Sequence, residues 1–177
     1  MPITVGDTVP PTQVPAWFRG RRNAPLMGPV DHRGRWVVLV FHPRDFSYAG
    51  PTELAELADL QAAFMDEETA IVAASTDSWL SHQRWFEDDP MAAQVLFPVL
   101  ADTAHELADA FGVVDAEGTC RRGTFVIDPH GVVRHATISD GAVGGSAAET
   151  LRVVRALRTG EMGPAIRQPG RPYLLAA

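Results

Sequence analysis

The chain has 177 residues, enough for one domain with a substantial core, and its 46% hydrophobic and 21% charged content is that of an ordinary globular protein. The net charge of −7 argues against a nucleic-acid surface, which would need a basic stripe, and the single cysteine excludes an internal disulfide framework or a cysteine-based metal cluster. The longest apolar stretch, Trp36 to Phe41, is too short to span a membrane; no signal peptide is read at the N-terminus, so the expected location is the cytoplasm.

Residues 1–30 are rich in proline and glycine and read as an extended arm with short strands. Trp36 to Phe41 is a continuous β-branched and aromatic run, which predicts a buried central strand. Leu54, Leu57, Ala58, Phe64 and Met65 follow at helical spacing; Pro51 suits the first helical position, which makes Gly50 the expected N-cap. Ile71 to Ala74 predicts a second buried strand, and Trp79 to Phe86 a short helix ending at Glu87-Asp88-Asp89-Pro90. Thr103-Ala-His-Glu106 and Ser146-Ala-Ala-Glu149 both match a capping box, with helices stopping at Gly112 and Gly160. Between them, Thr124 to Ile127 and Val132 to Thr137 flank the turn Asp128-Pro-His-Gly131, a predicted hairpin. Strands alternating with helices, plus one hairpin, give an α/β class with a mixed sheet.

Four segments carry a family signal: WVVLVFHPRDFSYAGPTEL (36–54), ASTDS (74–78) with His82 and Trp85, RGTFVID (122–128), and GEMGPA (160–165). Their content and order resemble the AhpC/TSA family of two-cysteine peroxiredoxins. The resemblance implies a thioredoxin fold with a central mixed sheet flanked by helices, one domain over 1–177 with a tail from about residue 160, and a homodimer or higher oligomer. It also exposes departures. The family's peroxidatic cysteine corresponds to Gly50, its resolving cysteine to Gly163, and a common second arginine to Gly145. Glycine has no side chain to attack a peroxide or to form a disulfide.

The same resemblance places Pro43, Ser47, Glu53 and Arg122 at the family's pocket, with Gly50 and Gly145 leaving space for a ligand. A helix N-terminus and an arginine fork together suit a carboxylate, phenolate or peroxide-like oxygen. Arg122 has an alternative role, pairing with Glu53 to hold the loop. His42, Ser47 and Tyr48 are candidates to move a proton, and His42 alone titrates near neutral pH. Asp45 lies in the same loop. These residues point to a thiol-independent enzyme on a small organic molecule, working by isomerisation, elimination, cyclisation or hydrolysis, with a role in specialised biosynthesis. The rivals are a non-catalytic ligand- or partner-binding protein and a residual peroxidase using Cys120. An extended segment would put Cys120 and Arg122 on one side, where Arg121 and Arg122 would lower the thiol's pKa. No cofactor is expected and no metal: His32, His82, His105 and His130 lack ligand spacing, and Gly141, Gly144 and Gly145 form no phosphate loop.

Overall fold

The computed structural model describes residues 1–47, 50–139 and 144–160. Its centre is β3 (Trp36–Phe41), the predicted apolar strand, which pairs in parallel with β4 (Thr69–Ser75) and antiparallel with β6 (Arg122–Ile127). β5 (Val99–Ala101) lies parallel to β4 on its far side. The N-terminal arm contributes β1 (Val14–Trp17), antiparallel to β5, and β2 (Leu26–Met27), so it completes the sheet. β7 (Val133–Ser139) closes the predicted hairpin with β6, giving a seven-stranded mixed sheet in the order β2-β1-β5-β4-β3-β6-β7. The Asp128 carboxylate holds that turn by accepting from the His130 and Val132 N–H groups and from Arg134 Nε.

Both faces of the sheet are covered, which is why β3 and β4 read as continuous apolar runs rather than alternating ones. On one face Val38, Ile71, Ala73 and Val126 pack against α1 (Gly50–Asp59), α2 (Gln61–Asp66), α3 (Trp79–Asp88) and α5 (Ala147–Thr159), through Leu54, Phe64, Trp85 and Val154. On the other face Leu39, Phe41, Val72 and Phe125 meet Leu107 and Ala108 of the short α4 (Glu106–Ala110), together with Phe111. No helix among the described residues is long and apolar enough to cross a membrane.

Three local expectations are corrected. The Leu54 to Met65 pattern forms two helices broken at Leu60, where φ −94° and ψ 3° kink the chain, and Met65 is exposed. The Ser146 box is half realised: Ser146 Oγ accepts from the Glu149 N–H, while the Glu149 carboxylate turns to Arg152. The Thr103 box does not form. His105 takes a left-handed φ of 61°, and buried Asp102, one residue before Thr103, accepts from the Ala108 N–H at 2.7 Å instead.

Candidate functional site

The end of β3 leads through a loop into α1, and pairing of Phe41 with Gly123 sets β6 beside it. Successive β6 side chains alternate faces. Phe125 lies in the core under α4 and Val126 in the core under α1, which puts Arg122 on the α1 side. There Arg122 Nε donates to both Glu53 oxygens, at 2.8 and 2.9 Å. Glu53 Oε1 also accepts from the Gly145 N–H at 3.0 Å. The two side chains are only 10% and 13% exposed, so the pair ties α1, β6 and the start of α5 together with little solvent screening. A Cβ on Gly144 would stand 2.9 Å from Glu53 Oε1, so this carboxylate position needs glycine there.

Around the pair lies a cavity of about 50 Å³, room for about four waters. Its walls are Val40, Leu54, Leu57 and Ala147, with hydroxyls from Thr124, Thr137, Ser139 and Thr150, and with His42, Glu53, Arg122 and Gly145 also lining it. Among the described residues, a Cβ on Gly145 would touch only Thr124 Oγ1, at an ordinary 3.7 Å, which leaves space for a side chain between them. The charge expected to await an anionic ligand is already matched: Glu53 supplies the carboxylate that Arg122 binds. What the cavity adds is apolar wall and hydroxyls.

His42 is 1% exposed, and neither ring nitrogen has a hydrogen-bond partner among the described residues. Burial, opposed mainly by the Asp45 carboxylate, pushes its pKa down to about 4, so the ring is neutral near pH 7. It sits 5.5 Å from the Trp85 ring and 6.1 Å from the His82 ring. Asp45 is committed elsewhere: both its oxygens reach His82 Nδ1, at 2.8 and 3.0 Å, while His82 Nε2 faces the Leu100 carbonyl at 3.2 Å. The Asp45 N–H donates to Asp77, which also accepts from Ser75 Oγ. The STDS segment and His82 therefore form a buried clamp on the loop, a role that spacing alone did not reveal. Between clamp and helix, Phe46 holds a φ of 56°, costly for a residue other than glycine, with its ring exposed and 6.4 Å from Trp85.

The structure thus brings His42, Glu53, Arg122 and Gly145 round one cavity. Pro43 and Ser47 are half-buried in the loop and are not among the lining residues. Gly50 is the first residue of α1 rather than its cap. Tyr48 and Gly163 lie outside the described residues, as does Gly141. Cys120 is corrected. Cys120 packs in the core under α4, across the sheet from Arg122, and the Arg121 N–H between them donates to the Val113 carbonyl. Burial pushes its thiol up to about 12, with Asp102 adding to the rise, so the neighbouring arginines do not activate it.

Comparison with known proteins places this frame. The family model described as the AhpC/TSA family matches residues 5–136. The thioredoxin peroxidase of Fasciola hepatica is 40% identical over 147 residues, spanning 78% of this chain and 76% of its own. The alkyl hydroperoxide reductase C of Mycobacterium tuberculosis is 33% identical over 182 aligned positions, spanning 97% and 93%. Among solved structures, Mycobacterium tuberculosis AhpC superposes with a TM-score of 0.84 at 31% identity, covering 92% of this chain and 97% of that one. The reduced 2-Cys peroxiredoxin of Plasmodium vivax gives 0.88 at 26% identity, covering 97% and 92%.

Proposed function

The chain belongs to the AhpC/TSA family, and from that premise we propose that it acts without a thiol, as an enzyme of proton transfer on a small oxygenated organic molecule. Relatives carry names of peroxidases and peroxide reductases, but thiol chemistry needs an accessible thiolate. Here Gly50 supplies no sulfur, and Cys120 is buried with its pKa near 12.

The observation that carries the reading is His42: a buried, neutral imidazole whose two nitrogens have no partner among the described residues, one of the residues lining the cavity beside Arg122. A carbonyl or hydroxyl end of the substrate enters among Thr124, Thr137 and Thr150, polarised by the Arg122–Glu53 pair. The ring takes a proton from the carbon beside that carbonyl and returns it to another atom of the same molecule, so an isomerisation balances with no oxidant. A specialised biosynthetic setting and a homodimer belong to the same reading. The dimer draws on β7, the edge strand of the sheet, whose outer side has no strand partner among the described residues.

The test is capture from a small-molecule extract, read by mass spectrometry, on wild type against Thr124→Leu, which fills the cavity. A compound held by wild type, lost by Thr124→Leu, and turned over by wild type but not by His42→Phe is the expected result. Retention without turnover assigns a binding role instead. No difference between wild type and Thr124→Leu removes the cavity from the account.

A further inference from the structure

A second concavity, remote from His42, lies between the loop after β1 and α3. It is a groove of about 640 Å³, a volume in the range of small-molecule sites. Its floor is the stacked pair Trp17 and Phe86, ring centroids 4.2 Å apart and both nearly fully buried. One wall carries Arg19, Arg21 and Arg22; the other carries Trp79, Gln83 and Glu87 from α3.

The arginine run stands out in an acidic chain. Its three guanidinium groups form no ion pair among the described residues, whereas seven other arginines do. Arg19 lies 5.8 Å over the Trp17 ring and donates to the Val95 carbonyl, and Arg21 lies 4.9 Å over the Phe18 ring. Stacking on aromatic faces fixes the planes of these forks and lowers the entropy lost when they bind an oxyanion. Trp79 is half-buried, and its indole N–H is enclosed without an acceptor among the described residues. Across from the arginines the Glu87 carboxylate, which accepts from Gln83 Nε2 at 3.1 Å, opposes a purely anionic ligand and suits one that also carries hydroxyl or amine donors.

We propose that this groove binds a mononucleotide-like phosphate, with the phosphate on Arg21 and Arg22, a planar ring beside Trp79, and sugar hydroxyls or a base amine on Glu87. Arginine forks bind phosphate in two-point contacts, and base-on-aromatic stacking supplies the second attachment. Both walls are needed, so phosphate alone or a nucleoside alone binds less well than the two joined.

Titration of the full chain with adenosine 5′-monophosphate, adenosine and inorganic phosphate at low salt tests it, followed by calorimetry and tryptophan fluorescence. The expected result is saturable binding of the monophosphate, weakened about tenfold or more by Arg21→Glu with Arg22→Glu and about fivefold by Trp79→Leu. Arg21 and Arg22 are exposed loop residues, so the double variant folds, and unchanged circular dichroism and melting verify that. Failure to saturate, equal binding of inorganic phosphate, indifference to the arginine variants, or binding of an acidic peptide in place of the nucleotide overturns the assignment.

Discussion

Gly50 and Cys120 divide between them what a thiol peroxidase needs in one residue: the first has the position and no sulfur, the second has sulfur and no access. Burial pushes the Cys120 thiol up to about 12, so it stays protonated near neutral pH. In the folded wild type it therefore resists a thiol-disulfide reagent and becomes titratable only on unfolding. Gly50→Cys restores the sulfur to the first turn of α1, on the same side of the sheet as the buried Arg122–Glu53 pair. That variant gains one fast-reacting thiol and consumes about one equivalent of peroxide, then stops, because position 163 offers no second thiol to resolve it. Stopped-flow peroxide consumption with mass spectrometry of the product reads both. A Gly50→Cys thiol as inert as Cys120 would show that the first turn has lost more than its cysteine.

At the scale of elements, the Glu53–Arg122 pair is the joint that α1, β6 and the start of α5 share. Arg122→Ala leaves Glu53 buried without its partner, and removing one member of such a pair costs about 3 kcal/mol or more. Denaturant unfolding checks this, and adding Glu53→Gln recovers part of the loss by removing the stranded charge. Which elements exist was readable from the chain: β3 and β4 from continuous apolar runs, β6 and β7 from the Asp128 to Gly131 turn. Which residue caps or faces what was less so. Thr103 matched a capping box, but Asp102, one position away and buried, took the helix N–H. Cys120 and Arg122 share a parity, yet they lie on opposite sides of the sheet. Of the site, His42, Glu53, Arg122 and Gly145 were legible by resemblance, while the Thr124, Thr137 and Thr150 hydroxyls beside them were not. The clamp of Asp45 on His82 and the groove joining Arg21 to Trp79 were not, since each depends on packing between segments distant in sequence.

For the whole molecule, His42 sets a pH limit. The unfolded chain binds a proton on this ring near 6.5, the folded protein only near 4, because burial penalises the charged ring. Between those values the unfolded state holds more protons, so stability is full above pH 6.5 and declines as pH falls toward 4. The loss is on the order of 3 kcal/mol from this residue. His32 and His135, also lowered by burial, act in the same direction. Comparing unfolding of wild type and His42→Phe from pH 7 to pH 4 isolates His42: the variant's curve is flatter, and parallel curves would reject the assignment. Exchanging thiol for glycine in this frame also changes how the molecule ages in an oxidising setting. A reactive cysteine is carried by excess peroxide to acids that do not revert. Among the described residues, the sulfurs that peroxide meets here are the exposed thioethers of Met1, Met65 and Met91, with Cys120 sealed in the core. Their sulfoxides are repairable and lie at the surface, so chemical wear marks the rim of the protein and leaves its interior untouched.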